Sequence, residues 1–322
     1  MKVAFRSKYG SPEVLSIKEV AIPIPNDNEV LIRIHATTVN RSDCHLLTGK
    51  PFLLRIFTGL FKPKLSTTGT DFAGQIAATG KNVTAFKTGD KVMGFGGGLL
   101  GIGSHAQYLL LPETKAIKLA VNIPGNLNYE EAAACLEGAF YAAGVSFLHP
   151  GSGQKALVYG ATGAIGSSYV QFLKFYGVYI TAVCREEHSE LIRSLGADKV
   201  IDYTKEDFTK DTERYDFVLD AVGKSSFARC KPLLKKKGIY MSSGGMENLF
   251  LVLFTPLFGR KKVVFKSFKR IKPGLDFIKA LIEKGSFRPV IDRSYPIDKI
   301  AEAFTYVATG QKKGNVIITM DA

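Results

Sequence analysis

The sequence predicts an α/β fold with a doubly wound parallel sheet in the second half of the chain and a β-rich first third. Residues 29–39 alternate with a period of two, which is typical of a half-buried strand. From Lys155 onward, short apolar runs alternate with segments of helical periodicity, and this alternation indicates βαβ units and a parallel sheet. A turn of small residues, 160–166, joins the first of these runs to a helix, as in folds that bind dinucleotides.

Each element follows from its local pattern. In the first third, glycines separate further short strands, and an Asn cap followed by acidic and then Ala-rich sequence predicts one helix over 128–148. The predicted strands there are 29–39, 74–80, 89–95 and 105–112. In the second part the predicted strands are 156–161, 178–184, 199–203, 215–223, 238–245 and 314–320, and the predicted helices are 164–177, 189–197, 275–285 and 297–310.

Length and composition indicate a two-domain globular protein. The chain has 322 residues, of which 46% are hydrophobic and 22% charged, and these values fit two ordinary domains. Because it has neither a secretory signal nor an apolar run of ~20 residues, we expect a cytoplasmic protein. The cysteines lack the spacing of a zinc site, and we interpret them as reduced thiols. They are Cys44, Cys135, Cys184 and Cys230.

The chain is strongly basic. Its 43 basic and 29 acidic residues give a formal charge of +14. We favour a solvated basic surface, and the alternative is attraction of an anion such as a phosphate-bearing cofactor or a membrane face. No nucleic-acid partner is expected, because the sequence carries no RNA- or DNA-binding motif.

The small residues at 160–166 predict a dinucleotide site. This turn is a variant of the glycine-rich fingerprint with Ala161 in the first glycine place. Gly163 would let the main chain approach a diphosphate, and Gly166 would let the helix lie close to the strand. The helix N-terminus would offer N–H groups and partial positive charge to the anion. The predicted cofactor contacts here are Ala161, Thr162, Gly163, Ala164 and Ile165.

The end of the next strand favours NADPH. An NAD site carries an acid there for the ribose 2′-hydroxyl, whereas this strand ends on Cys184 followed by Arg185. A guanidinium suits a 2′-phosphate in charge and in forked geometry. The alternatives are that Arg185 is a solvated strand-end residue, or that Glu186 binds the ribose of NAD.

Motifs along nearly the whole chain resemble the medium-chain dehydrogenase/reductase family, close to its quinone oxidoreductase (zeta-crystallin-like) branch. These motifs include GTDFAGQI, FKTGDKVMGF, VYGATGAIGSS, LGADKVIDY and KKGNVIIT. The resemblance implies a GroES-like β-barrel catalytic domain over 1–122 and 262–322, and a Rossmann domain over 123–261. It also implies a homodimer.

The same resemblance argues against zinc. Zinc alcohol dehydrogenases of this family carry a Cys ligand where this chain has Asn40, and a His-Glu pair where it has Thr70-Asp71. Amide and hydroxyl groups are poor zinc ligands beside thiolate and imidazole. We therefore expect a zinc-independent enzyme.

The family implies transfer of a hydride from NADPH to a quinone or to an α,β-unsaturated carbonyl. Asn40 matches a residue that lines the nicotinamide pocket in quinone-reducing relatives, and His45 falls where some relatives have a pocket Tyr. The alternative for Asn40 is a hydrogen-bonded turn residue without a catalytic role, and the alternative for His45 is an ordinary surface histidine. An enoyl-thioester reductase or a non-catalytic NADPH-binding sensor are the competing functions.

Further cofactor contacts are implied by the family at the strand ends and near the C-terminus. These residues are Tyr203, Val222, Gly223, Ser242, Ser243, Gly244, Phe265, Lys266, Lys313 and Asn315.

Two stretches, 51–64 and 249–262, are dense in Phe and Leu and end on cations. We interpret them first as core or dimer-interface segments. The alternatives are an apolar roof over the substrate, and docking to an anionic membrane, where lipid quinones reside.

Overall fold

The computed structural model describes residues 1–98, 101–242, 251–252, 255 and 260–320. The chain divides into two compact units. The first unit comprises Met1–Glu137, Lys269–Glu283 and Arg288–Ala322. The second comprises Gly138–Phe268 and Lys284–Phe287.

The predicted alternation of elements is confirmed over the described part of the chain. The strands are β1 (Lys2–Phe5), β2 (Ser16–Glu19), β3 (Glu29–Val39), β4 (Asp71–Thr79), β5 (Lys91–Phe95), β6 (Tyr108–Pro112), β7 (Ala120–Asn122), β8 (Lys155–Tyr159), β9 (Tyr179–Cys184), β10 (Lys199–Asp202), β11 (Tyr215–Asp220), β12 (Leu234–Ser242), β13 (Lys262–Val264), β14 (Ile291–Pro296) and β15 (Asn315–Thr319). The α-helices are α1 (Arg41–Thr48), α2 (Arg55–Thr58), α3 (Glu113–Leu119), α4 (Tyr129–Ala134), α5 (Glu137–Ala142), α6 (Ala164–Phe175), α7 (Ser189–Ser194), α8 (Phe227–Cys230), α9 (Ile271–Glu283) and α10 (Ile300–Ala308).

The first unit is built on a mainly antiparallel sheet. Its strand order is β14-β15-β3-β4-β5-β7, with β6 also paired to β3. Only the β14–β15 pair is parallel. The apolar positions of β3 and β4 are buried in one core with side chains of α10, which explains the alternating pattern read from the sequence. The β-rich first third that the sequence predicts is thereby confirmed.

The second unit is a six-stranded parallel sheet. Its order is β10-β9-β8-β11-β12-β13, which is the doubly wound order 3-2-1-4-5-6 when its strands are counted from β8. The strand order reverses between β8 and β11. Ligands of such sheets bind outside the carboxyl ends of the strands at this point.

The single helix predicted over 128–148 is wrong. The structure divides it into α4, α5 and a 3-10 helix over Ala143–Leu148. The break at residues 135–136 lies beside the boundary of the two units, Glu137/Gly138. Periodicity alone did not show this break, because Leu136 is fully buried like the alanines before it.

The two compact units have different limits from the two domains predicted from the sequence. The predicted domain limits stay a prediction. Residues 123–137 belong to the first unit, where α4 packs against β3 and β4. Residues 262–268 belong to the second unit, because β13 pairs with β12.

Candidate cofactor and active sites

The glycine-rich turn of the second unit leads from β8 into α6. The backbone N–H groups of Gly160 and Ala161 donate to the carbonyl of Val183 at 3.1 and 3.2 Å. Gly160 has a φ of +78°, and a Cβ there would lie 2.4 Å from Cγ2 of Val222. The turn is therefore held against the end of β9 and the loop after β11, at the point where the strand order reverses.

Gly163 and Gly166 lack side chains for different reasons. A Cβ at Gly166 would lie 2.1 Å from the carbonyl oxygen of Gly160 and 2.8 Å from Cα of Ala161. This glycine therefore allows α6 to pack directly on the turn. Among the described residues, a Cβ at Gly163 would meet only the oxygen of Gly160, at 3.7 Å. Packing within the chain therefore does not require a glycine at this position, whereas close approach of a ligand would.

The five residues predicted to contact a diphosphate lie together in this turn. Ala161 and Thr162 form it, Gly163 is the N-cap of α6, and Ala164 and Ile165 begin the helix. The first N–H groups of an α-helix lack partners within the helix and carry its partial positive charge. The arrangement can bind a diphosphate through backbone N–H groups.

Arg185 and Tyr203, predicted separately, lie side by side at the ends of β9 and β10. Nε of Arg185 donates to the hydroxyl of Tyr203 at 3.1 Å, and the Arg185 side chain is 48% exposed. The carboxylate of Glu187 is 3.7 Å from Nη1 of Arg185. Glu186, the alternative ribose ligand, lies instead 3.6 Å from Nζ of Lys205.

The other predicted contacts of the second unit differ in exposure. Cys184 is buried, and burial raises the pKa of its thiol to about 11, so its side chain offers no anion. Asp220 accepts from the backbone N–H groups of Val222 and Gly223 at 3.0 and 2.7 Å, which fixes the loop after β11. Ser242 is buried at the end of β12, in register with Asp220. Ser243 and Gly244 lie outside the described residues.

Phe265 and Lys266 follow β13, and Phe265 is exposed. A Cβ at Gly144 would lie 1.9 Å from the carbonyl oxygen of Lys266. The missing side chain therefore lets this stretch of backbone run against the 3-10 helix that contains Gly144.

In the first unit, the turn that contains Lys313 and Asn315 is hydrogen-bonded to residues at the start of β14 and just before it. The backbone N–H of Lys313 donates to Asp292 at 2.9 Å, and the amide of Asn315 donates to the carbonyl of Val290 at 3.1 Å. These bonds hold the turn in place whether or not it contacts a cofactor.

Asn40, the first active-site candidate, lies in a buried polar cluster at the start of α1. Its amide nitrogen Nδ2 is 2.6 Å from the hydroxyl of Thr38, 3.3 Å from Asp71 and 3.4 Å from Glu137. Its backbone N–H donates to Asp43 at 2.8 Å. The side chain is therefore held in one orientation by acceptors from β3, β4 and α5.

Glu137 is the central residue that sequence reasoning missed. It is 6% exposed and accepts hydrogen bonds from the hydroxyls of Ser42 and Thr70. The available signal was a lone acid in an otherwise apolar run, since Lys, Glu, Arg and Asp are rarely buried without partners.

The carboxyl groups of this cluster have raised pKa values. Burial raises the pKa of Asp71 to about 7, helped by the charge of Glu137 and opposed by donors from Thr37 and Thr38. Burial likewise raises the pKa of Glu137, and burial together with the charge of Glu137 holds the pKa of Asp43 well above its ordinary range. Asp71 can therefore hold a proton near neutral pH.

Lys312 is the cation of the cluster, and it too escaped sequence reasoning. Burial lowers the pKa of its ammonium group to about 8, while the charges of Glu137 and Asp292 act in the opposite direction. Its ammonium donates to the carbonyl of Gly314. It thus adds a titratable group close to the carboxyl groups.

His45, the second catalytic candidate, lies one turn further along α1. Its Nδ1 is 2.9 Å from the carbonyl oxygen of Lys50, so Nδ1 carries the proton and donates it to that oxygen. Burial lowers the pKa of the ring, which favours neutral histidine at pH 7. The side-chain hydrogen bonds of Asn40 and His45 go to different partners.

Two family models match the chain. "Alcohol dehydrogenase GroES-like domain" matches residues 26–121, and "Zinc-binding dehydrogenase" matches residues 195–318. A 2-methylene-furan-3-one reductase of Solanum lycopersicum is 32% identical, and the match covers 99% of this chain and 79% of that protein. The quinone oxidoreductase of Homo sapiens is 28% identical over 94% of this chain and 92% of its own length. The solved quinone oxidoreductase of Coxiella burnetii is similar in fold, with a TM-score of 0.86 at 23% identity, covering 100% of this chain and 99% of that one.

The second family model is named after zinc binding, but the side chains of the polar cluster do not fit a zinc ion. Asn40, Thr70 and Asp71 contribute an amide, a hydroxyl and a carboxylate, and no group of three or more His, Cys, Asp or Glu within the described ranges is arranged to hold a metal ion. The neighbouring thiol of Cys44 is 3.9 Å from the carbonyl oxygen of Phe304, and burial raises its pKa to about 12. It is therefore disfavoured as the thiolate that zinc requires.

Proposed function

Because this chain belongs to the medium-chain dehydrogenase/reductase family, in the group that includes the quinone oxidoreductases, we propose that it is a zinc-independent, NADPH-dependent oxidoreductase. The hydride would go to a quinone or to the β-carbon of an α,β-unsaturated carbonyl. The observation that carries this proposal is the glycine-rich turn at the strand-order reversal, with the guanidinium of Arg185 at the next strand end. The bound nicotinamide would supply the hydride, and the protein would position the two reactants.

The position of Arg185 supports a preference for NADPH over NADH. Its guanidinium is half exposed, and its Nε is oriented by the hydroxyl of Tyr203. A guanidinium held in this way retains further N–H groups for a phosphate. The carboxylate of Glu186 pairs with Lys205, which disfavours Glu186 as the ligand of an NAD ribose.

Asn40 is the residue that we place against the nicotinamide and the acceptor. Its amide is fixed by Thr38, Asp71 and Glu137, so little conformational freedom would be lost when a substrate binds. We assign Glu137 as a positioning residue, because it acts through Asn40.

Reduction of the acceptor also consumes a proton. A neutral His45 with its Nδ1–H bound to Lys50 is a weak acid. Burial raises the pKa of Asp71 to about 7 and also raises the pKa of Glu137. The carboxyl group of Asp71 is therefore one source of the proton near neutral pH, and solvent is the other. In a conjugated acceptor the negative charge delocalises, so the reaction places a smaller demand on a Lewis acid than alcohol oxidation does.

The experiment is a screen of NADPH oxidation with quinones, enals, enones and enoyl thioesters, with NADH as the matched cofactor. We expect turnover with a quinone or an enone and a clear preference for NADPH. Turnover only with enoyl thioesters would identify an enoyl-thioester reductase. Tight NADPH binding without turnover on any acceptor would identify a sensor protein. The homodimer and the cytoplasmic location remain predictions.

A further inference from the structure

A short segment of the first unit exposes an unusual density of apolar side chains. Single exposed apolar residues are normal on a protein surface, but large contiguous patches mark binding surfaces. We name this segment the 52–65 surface. Its exposed members are Phe52, Leu53, Ile56, Phe57, Leu60, Phe61 and Leu65, with exposures from 43% to 90%.

The inner side of the 52–65 surface is anchored by polar contacts. The hydroxyl of Tyr9 is 2.8 Å from the hydroxyl of Thr58 and donates to the carbonyl of Gly59 at 2.8 Å. Arg55 donates through Nε to the carbonyl of Gly49 at 3.2 Å, and its guanidinium lies 4.6 Å from the ring centroid of Tyr9. With the buried Thr58 facing inward, these bonds leave the large apolar side chains facing solvent.

The charged side chains along this segment have one sign. Lys50, Lys62 and Lys64 are exposed at its two ends, and the sequence contains no Asp or Glu from residue 44 to residue 70. Exposed aromatic and aliphatic side chains beside lysines are typical of segments that lie in the interface of anionic bilayers. A two-fold contact of this surface with itself would bring lysines against lysines.

We propose that the 52–65 surface docks on a bilayer that contains anionic lipids. Its Phe, Leu and Ile side chains enter the interfacial region, and Lys50, Lys62 and Lys64 contact the lipid headgroups. Among the residues that the structure describes, no helix is long and apolar enough to cross a membrane, so the contact lies on the bilayer surface. This docking is independent of the proposed reaction, although it would bring the protein to quinones dissolved in lipid.

The test is co-sedimentation of the full chain with phosphatidylcholine vesicles, with and without phosphatidylglycerol. One double variant, Phe57→Ser with Phe61→Ser, removes apolar contact, and another, Lys62→Glu with Lys64→Glu, reverses charge. Ile24→Ser is the matched apolar control, since Ile24 is 86% exposed in another part of the chain. Lys236→Glu with Lys237→Glu is the matched charge control, because both lysines are exposed on β12.

We expect the wild type to pellet with the anionic vesicles and to pellet less with neutral ones. Both test variants should lose about tenfold or more in partition coefficient, while both controls retain it. The changed residues are exposed, so thermal unfolding should show folded variants. The proposal is overturned if wild type stays in the supernatant with anionic vesicles, or if the test variants pellet as well as the controls. It is also overturned if the Phe variant instead converts an oligomer to a monomer in sedimentation velocity, since the surface would then be an interface between copies.

Discussion

Replacing Gly163 by alanine separates the binding role of the turn from its structural role. In the part of the chain that the structure describes, the new methyl group would meet one neighbour, the oxygen of Gly160 at 3.7 Å, which is an ordinary van der Waals contact. The backbone of Gly163 has φ −72° and ψ 170°, a conformation that alanine adopts without strain. We therefore expect the variant to fold normally.

The two effects of this change on stability nearly cancel. Loss of glycine restricts the unfolded chain and stabilises by about 0.4–1 kcal/mol. Alanine is a poorer N-cap than glycine, which costs up to about 1 kcal/mol. The free energy of unfolding should therefore change by less than about 1 kcal/mol.

Binding should respond much more strongly. A diphosphate against the turn would meet the methyl group, and overpacking of this kind costs about 1–3 kcal/mol. The dissociation constant for NADPH should then rise about five- to a hundredfold. Fluorescence titration with NADPH measures this change, and urea unfolding followed by circular dichroism measures stability on the same sample.

Gly166→Ala is the matched control, because it adds the same methyl group three residues away. Its Cβ would lie 2.1 Å from the oxygen of Gly160, and backbone atoms cannot rotate away as a flexible side chain would. We expect a loss of stability towards the upper end of about 1–3 kcal/mol. An unchanged NADPH affinity in Gly163→Ala would contradict a diphosphate at this turn, and an equal loss of stability in both variants would contradict the packing described for Gly163.

Three further predictions address cofactor choice and the polar cluster. Arg185→Ala should weaken NADPH binding roughly ten- to a hundredfold and spare NADH; an unchanged ratio of the two dissociation constants would remove the assignment. Glu137→Gln should lower kcat roughly tenfold and alter the pH–rate profile with little change in NADPH affinity, and a parallel loss of affinity would indicate a structural role instead. Burial raises the pKa of Asp71 from 3.8 to about 7, so the folded state keeps this proton to a higher pH than the unfolded state does. The free energy of unfolding therefore falls as pH rises from about 4 to about 7. Asp71→Asn should reduce this slope in urea unfolding at a series of pH values, and an unchanged slope would refute the shift.

The fold around the proposed cofactor site could be predicted from the sequence because its signals are local. The run 156–159, the turn and α6 follow one another directly, and parallel strands are continuous apolar runs because both faces of their sheet are buried. Arg185 and Tyr203 each follow a strand of that sheet. Neighbouring parallel strands end at the same edge, so residues eighteen positions apart come into contact.

The polar cluster depends on contacts that no local pattern contains. Asn40 meets Glu137 across 97 positions of sequence, and Thr70 meets it across 67. Periodicity assigned Glu137 to the middle of one long helix, whereas the structure places it at the start of α5. Its carboxylate accepts hydrogen bonds from Ser42 of α1 and from Thr70, the residue before β4. A buried acid in an apolar run is the only trace of this arrangement in the sequence.

The charge of the polar cluster gives a physical reason for its difference from a zinc site. Asn40, Thr70 and Asp71 stand where zinc alcohol dehydrogenases of the family carry ligands, and in this chain Glu137 joins them. Buried carboxylates need a compensating charge or a proton. Thiolates and imidazole would favour a dication, whereas this cluster combines hydroxyl donors, one ammonium group at Lys312 and carboxyl groups whose pKa values are raised by burial. Hydrogen bonds, the ammonium group of Lys312 and the raised pKa values of the carboxyl groups therefore offset the cost of burying this charge beside the amide that we place against the acceptor.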